Sequence, residues 1–335
     1  MAVTLKDIAR SCGLAVSTVS NILNDNKDSF ASERVKRNVK ETARRMGYRK
    51  DYLSLSLRTK RTLSIGLCLD YIVNETRRYF VDAFVGAFND KGYEVAITTH
   101  DMDPARAVDS IRFFEERYKE GIVLFTDFLK DLGPARKQLG GAIRSCRVKT
   151  LGIGSELRGV LPCLDIERDW AFRDCIRRFS RDGHRTVLAV YKTPADFRAS
   201  FKLLGSTRFV HMPGVYTFAQ FARQWPRVHR DNPGITAVFF RTDEIAIPAL
   251  TYFARRGIRV PDDLCVSSFD HFRFSECTTP PLTTYDINFG QLGRWAFEEL
   301  SGWIAGDTKV DRNVYRTIRP TFVQRQSHTR QRKAA

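Results

Sequence analysis

Apolar positions recur along this chain in two rhythms. In the first fifty residues they return every three or four positions in short bursts. Leu5, Ile8, Ala9 and Cys12 form one stripe, Leu14, Val19, Ile22 and Leu23 a second, and Val35, Val39, Ala43 and Met46 a third. That spacing is helical. Thr4 can cap the first helix, with Asp7 at the capping-box position. Gly13 stands where that helix ends and the chain turns. A second helix takes up Val16 to about Leu23, and the polar loop NDNKDSFA follows it. Ser32 caps the third helix and Gly47 ends it. Three short helices with a tight glycine turn between the first two predict a helix-turn-helix unit.

From Thr62 the rhythm changes. LSIGLCLDYI is an apolar run that ends in an acid and reads as a buried parallel strand. Helical RYFVDAFVGAFNDKG follows, then YEVAITTH as strand, DPARAVDSIRFFEERY as helix, and GIVLFTD and VKTLGIGS as strands. The alternation resumes with WAFRDCIRRFSRDG, HRTVLAVY, GITAVFFRTD, EIAIPALTYFARRG and LCVSSFD. Strands alternating with helices predict doubly wound parallel sheets. The length of the pattern suggests two of them, with a ligand cleft outside the carboxyl ends of the strands.

The second helix, within GLAVSTVSNILN, is a mediocre helix former. Its apolar residues can hold it to its neighbours. Val16, Ser17, Thr18, Ser20 and Asn21 leave an outer face of short side chains. Such a face can approach base edges and phosphates closely. Residues 48–62, YRKDYLSLSLRTKRT, place Asp51 as a cap before Leu53, Leu55 and Leu57, flanked by Lys50, Arg58, Lys60 and Arg61. The segment is too short for a stable isolated helix. It suits one that forms only when paired and bound, and a leucine beside basic residues is equipment for wedging open a minor groove. A plain linker is the competing reading.

Charge sharpens the first of these readings. The net charge is +17, and residues 1–61 hold 14 Lys/Arg against 6 Asp/Glu. Nearly half the excess therefore sits in under a fifth of the chain, which suggests a polyanionic partner. Seven scattered cysteines with no C-x-x-C pair read as buried reduced thiols, and six histidines form no H-x-x-x-H pair. No metal or cofactor is expected. No run approaches the roughly 18 apolar residues of a membrane helix, and MAVTLKDIAR lacks the apolar core of a signal peptide. A cytoplasmic location without membrane contact is the expectation.

Loops at the predicted carboxyl ends of the strands contain Asp70, Tyr79, Phe80, Asp127, Arg198, Asp243, Asp270 and His271. Aromatics with a few charges could bind a small polar molecule. Catalytic motifs are missing: there is no G-x-S-x-G, no G-x-x-x-x-G-K-[ST], no G-x-G-x-x-G opening a helix and no H-E-x-x-H. A binder, not an enzyme, is expected.

Over nearly its full length the chain resembles the LacI/GalR family of bacterial transcription regulators. VTLKDIARSCGLAVSTVSNILN resembles the family's DNA-binding signature, ETARRMGY the end of its third helix, and LSLRTKRTLSIGL its hinge. DGHRTVLAV, GIRVPDDLCVSSFDH, PPLTT and PTFVQRQS resemble further signatures in the expected order. The resemblance implies a homodimer with a two-lobed body like a periplasmic sugar-binding protein. It implies a DNA-binding domain at 1–48, a hinge helix and linker at 49–62, a body at 63–327 and a basic tail at 328–335. The first lobe is expected at about 63–164 plus 284–312, and the second at about 165–283 plus 313–327.

Carried onto this sequence, Val16, Ser17 and Asn21 are base-reading positions. Thr18, Ser20 and Asn24 support phosphate contact and orientation, Thr4 is a further DNA-binding position, Leu57 is the hinge wedge and Ser54 falls at a usually alanine position of the hinge helix. Tyr79, Phe80, Asp127, Arg198, Asp243 and Asp270 are the effector-binding candidates. Asn21 stands where Arg or His is commoner, and Asn pairs with adenine where Arg favours guanine. The body departs from the family pattern at RRYF, at FRASF and at RTD, so the pocket is expected to differ from a usual sugar site. The expected function is a sequence-specific regulator, a repressor above all, that binds a pseudo-palindromic duplex operator as a dimer under control of a sugar or related metabolite. The alternatives are an effector-independent or activating regulator of the same fold, and a non-specific DNA-binding protein.

Overall fold

The computed structural model describes residues 3–24, 31–48, 61–71, 75–117, 119–126, 135–190 and 207–329. The hinge positions Ser54 and Leu57, the effector candidates Asp127 and Arg198, and the tail from residue 330 lie outside them. The chain divides into two units, Met1–Thr62 and Leu63–Ala335.

The first unit holds α1 (Leu5–Cys12), α2 (Val16–Leu23) and α3 (Glu33–Arg45). The Asp7 carboxylate accepts the Thr4 N–H at 2.9 Å and the Thr4 hydroxyl at 2.7 Å, which closes the start of α1. These bonds hold the Asp7 carboxyl below its ordinary pKa, the hydroxyl contributing most. Gly13 has φ +65° and Leu14 N–H donates to Ala9 O at 3.0 Å, so the turn needs a residue free to be left-handed. Ser32 Oγ caps α3 by accepting Val35 N–H at 3.4 Å. Ile8, Ala9, Val19, Ile22, Val39 and Ala43 form the buried centre of the unit.

The second unit is built on two parallel sheets. The first comprises β1 (Ser64–Leu69), β2 (Glu94–Thr99), β3 (Gly121–Phe125), β4 (Lys149–Ile153), β5 (Cys163–Ile166) and β11 (Tyr315–Ile318), in the order β11-β5-β4-β3-β1-β2. Strand β1 is buried at every position, as a central strand covered on both faces must be. Helices α4 (Glu75–Asn89) and α10 (Phe289–Ala305) cover one face, and α5 (Pro104–Glu116) and α6 (Ala135–Ser145) the other. Gly293 lets α10 close onto α4: a Cβ there would lie 2.7 Å from Phe80 O.

The second sheet comprises β6 (Thr186–Val190), β7 (Arg208–Met212), β8 (Ala237–Phe240) and β9 (Cys265–Ser267), in the order β7-β6-β8-β9. Helix α7 (Arg168–Arg181) covers one face, and α8 (Phe218–Asp231) and α9 (Asp243–Ala254) the other. Strands β10 (Thr284–Asp286) and β12 (Thr321–Val323) pair antiparallel beside it. One hydrophobic cluster runs from Phe80 and Phe125 through Phe172 and Phe239 to Tyr285, so the two lobes share a continuous core.

Two expectations about the body are corrected. Tyr315–Ile318 pairs with Cys163–Ile166 in register, which puts β11 in the first lobe's sheet and not with the second lobe. His328 is buried, with Nδ1 2.6 Å from Ser267 Oγ and its ring stacked on Phe179 at 4.6 Å, so the body reaches past 327. The thiols also differ from expectation. Cys68, Cys163, Cys175 and Cys265 are buried, Cys12 and Cys146 are half-buried, and Cys277 is exposed. Burial pushes the Cys163 thiol up to about 12, which leaves it protonated and unreactive.

Candidate nucleic-acid interface and inter-lobe cavity

The outer face of α2 sorts its polar residues. Val16, Ser17 and Asn21 are exposed, while Thr18, Ser20 and Asn24 are half-buried. Val16 is 41% exposed, high for a valine, and is not among the described residues of its unit's core. Val19 and Ile22, on the opposite face, pin the helix against α1 and α3. Asn24 Nδ2 donates to Ser20 Oγ at 3.2 Å across the last turn of α2. Ala15 offers no side-chain acceptor at the start of α2, which suits a helix end that meets phosphate. Thr4 is exposed, and its hydroxyl is engaged by Asp7. Arg34, Arg37, Arg44 and Arg45 are exposed along α3 and give this small unit its positive surface. The unit thus presents three short side chains on a rigid support and exposes four guanidinium groups along α3. It can read base edges while the cations hold phosphate.

In the body, a cavity of about 300 Å³ opens at the carboxyl ends of the strands of both lobes. Tyr71, Thr76, Arg77 and Met102 line it from the first lobe. Arg168, Val215, Tyr216, Thr217, Arg241, Thr242, Glu244, Ile245 and Asp270 line it from the second. A wider cavity of about 680 Å³ adjoins it through Thr76 and Asp270 and is lined by Tyr79, His271, Arg273, Arg294 and Arg325 among others. Asp70 and Arg77 form a buried ion pair with two bonds, at 2.8 and 2.6 Å. The Arg77 guanidinium also lies 4.7 Å from the Phe125 ring and 4.8 Å from the Phe289 ring.

Asp270 is the expected effector residue that reaches both cavities. Its φ of +115° is a strained conformation for a side chain that size. The residue is half-buried at the cavity wall, yet its carboxyl sits deep among its neighbours. Burial, then the charge of Asp243, pushes it up to about 7, against opposing pull from Thr242, Arg168 and Arg77. A carboxyl poised there can donate or accept a hydrogen bond near neutral pH.

The other expected effector residues divide. Tyr79 is exposed on α4, its hydroxyl 3.2 Å from Glu75 Oε1, and it lines the wider cavity only. Phe80 is corrected: it is fully buried, 4.9 Å edge-on to Phe125 and 5.5 Å from Phe84. Helical spacing turns adjacent residues 79 and 80 to different faces. Asp243 is corrected as well. It is fully buried, and its carboxylate accepts Thr284 Oγ1 and Phe272 N–H at 2.8 Å, together with the hydroxyls of Ser268 and Ser275. Burial raises its pKa above the ordinary value despite those bonds. It ties α9 to the segment after β9, to residues 272–275 and to the start of β10, and it does not line the cavity. His271 N–H donates to Thr284 Oγ1 at 3.2 Å, and the residue lines the wider cavity.

Sequence reasoning passed over Tyr71, Arg168, Tyr216 and Arg241. Tyr71 and Arg241 each follow a strand within two residues, and that position was the available signal. Among the described residues no group of three or more His, Cys, Asp or Glu side chains could hold a metal ion. No helix of theirs is long and apolar enough to cross a membrane.

Known proteins match both units. Residues 4–51 match the model for bacterial regulatory proteins of the lacI family, and residues 176–328 match a periplasmic binding protein-like domain. The chain joins a lacI-family helix-turn-helix domain to a periplasmic-binding-protein-like domain. Among LacI-family relatives, catabolite control protein A of Priestia megaterium is 23% identical, covering 94% of this chain and 96% of its own. The transcriptional repressor PurR of Vibrio cholerae serotype O1 is 24% identical, covering 96% of this chain and 97% of its own. The solved Lac repressor dimer bound to operator and the anti-inducer ONPF superposes with a TM-score of 0.84 at 17% identity, over 98% of this chain and all of that one. With a lacI-family regulatory domain joined to a periplasmic-binding-protein-like body, the chain is a DNA-binding transcription regulator.

Proposed function

We propose that this regulator is a repressor that binds a pseudo-palindromic duplex operator as a homodimer, and that a small polar metabolite in the inter-lobe cavity alters its affinity. The observation that carries the DNA reading is the exposed set Val16, Ser17 and Asn21 on a helix pinned by Val19 and Ile22. Asn21 takes the role of an adenine reader, through its paired donor and acceptor. Thr18, Ser20 and Asn24 steady the helix and meet phosphate. Ser54 and Leu57 act at the operator centre as hinge and wedge.

The effector reading rests on the cavity at the carboxyl ends of the strands and on Asp270, which borders it. Tyr71, Tyr216, Arg168 and Arg241 give that cavity two aromatic walls and two cations. A sugar or related metabolite carrying several hydroxyls matches such a lining. Binding the two lobe arrangements unequally by ~1–3 kcal/mol suffices for typical control.

The test is in vitro selection of bound duplexes by the full-length protein, repeated with a panel of sugars and sugar acids. The expected result is one enriched pseudo-palindrome whose retention changes with one compound. Enrichment of a palindrome that no compound affects would remove the effector half of the proposal.

A further inference from the structure

The two lobes share one architecture and differ in charge. Residues 62–166 and 284–320 hold 19 Lys/Arg against 20 Asp/Glu, while residues 167–283 and 321–335 hold 22 against 12. The positive excess of the body thus belongs to the second lobe. Topology then concentrates it. All four strands of the second sheet run parallel, so β6, β7, β8 and β9 begin at the edge where α7, α8 and α9 end. In register, Thr186 faces Arg208, and Val187, Ala237 and Cys265 stand side by side.

At this edge Arg177, Arg181, Arg185, Arg208, Arg255 and Arg256 are all exposed. None of the six is in an ion pair with another described residue. Most nearby acids are taken by other arginines: Asp174 by Arg178 at 2.7 Å, Asp231 by Arg227 and Arg230 at 3.6 Å, and Asp263 by Arg259 at 2.6 Å; Asp182, at the end of α7, faces His328 at 3.5 Å. Arg208 bonds the neutral Asn232 Oδ1 at 3.0 Å, and Arg256 lies 3.7 Å from the Tyr252 ring.

Basic residues at helix C-termini complement the helix dipole, but that does not account for the array. In the first lobe, where the layout is the same, α6 does end on Arg144, but α5 ends on Glu115 and Glu116, and the chain leaves α4 through Asp90 and α10 through Asp307. Guanidinium groups match phosphate geometry. Among the described residues of the second lobe the exposed large apolar ones, Tyr216 and Phe274, follow β7 and β9 and so lie toward the opposite edge. Single-stranded nucleic acid would need stacking rings that the described residues of this edge do not present. Four strands span about 15 Å, wider than the ~12 Å major groove, so the guanidiniums can reach phosphates on both of its walls.

We propose that this edge of the second lobe binds the backbone of a second DNA duplex without reading its sequence. The protein, engaged elsewhere through its helix-turn-helix, then bridges two duplexes. The test tethers a selected duplex, saturates it with full-length protein, and titrates a labelled random duplex of about one and a half turns. Three proteins are compared: the wild type, a variant with Arg181→Gln, Arg185→Gln, Arg208→Gln and Arg255→Gln, and a charge-matched control with Arg112→Gln, Arg136→Gln, Lys137→Gln and Arg144→Gln on the first lobe.

The wild type and the control are expected to capture the random duplex at 50 mM salt, and to bind it roughly 150-fold more weakly at 200 mM if four phosphates are contacted. The second-lobe variant is expected to lose at least about tenfold in capture while holding the tethered duplex as before. Equal loss in the control would assign the effect to total charge and overturn the proposal, as would undiminished capture by the variant or none by the wild type. Should the tethered duplex fail to hold the protein, readout by α2 falls, and direct binding of the random duplex to the same three proteins still decides the second-lobe surface.

Discussion

Replacing Asp243 with alanine removes one buried acceptor that serves four donors. The Ser268, Ser275 and Thr284 hydroxyls and the Phe272 N–H all point at this carboxylate. At about 1 kcal/mol for each stranded donor the loss is about 4 kcal/mol. Relief from burying a carboxylate returns about 1 kcal/mol. The expected net cost is therefore about 3 kcal/mol of stability, confined to the body. All four tryptophans, Trp170, Trp225, Trp295 and Trp303, lie in the body, so urea unfolding followed by their fluorescence reports it directly. The midpoint is expected to fall markedly, with no change in slope. An unchanged midpoint combined with a lost response to effector would refute the reasoning and return Asp243 to the ligand site.

Asn21→Ala is expected to relax base preference at one position of each half-site and to cost ~1–3 kcal/mol there; uniform weakening across all sequences, read by selection on a randomised operator, would deny it a reading role. His328 carries the pH dependence with the clearest sign. Burial, then repulsion from His184 and Arg178, pushes its imidazole down to about 4, below the unfolded value of about 6.5. Its contribution is therefore complete above pH 6.5 and is lost as pH falls toward 4, about 3 kcal/mol in all. His328→Phe keeps the ring against Phe179 and should narrow the stability gap to wild type across that window in pH-dependent urea melts. Gly293→Ala forces a Cβ to within 2.7 Å of Phe80 O, so α10 and α4 must separate. A loss of ~1–3 kcal/mol in thermal or urea unfolding is expected.

The helical head was legible because its signals are local. Thr4 with Asp7, Gly13, Ser32 and Gly47 mark ends, and the apolar spacing between them leaves one arrangement of three short helices. The strands β1, β3, β4, β6 and β8 were legible for a similar reason, as apolar runs bounded by turns. Strands β7, β10, β11 and β12 were not, because three to five residues of mixed character carry no period. The return of Tyr315–Ile318 to the first sheet depends on pairing with Cys163–Ile166, some 150 positions earlier, which no local pattern encodes.

Two effector candidates, Phe80 and Asp243, are buried away from the cavities for reasons the sequence hides. Tyr79 and Phe80 are neighbours in sequence, yet helix geometry exposes one and buries the other. Asp243 follows an apolar strand, as a ligand residue in such a sheet should. What makes it structural is the convergence of donors 25 to 41 positions away, which only the fold brings together. Asp270 reaches the cavity wall because its backbone takes a left-handed turn at the end of the β9 segment, a conformation the residue type does not announce.

The central claim is that α2 reads bases through Val16, Ser17 and Asn21. The most direct measurement is the affinity of the full-length protein for its selected duplex against a scrambled duplex of the same length, at one salt concentration. A preference of roughly a thousandfold or more is expected. Equal affinity for the two duplexes would contradict it.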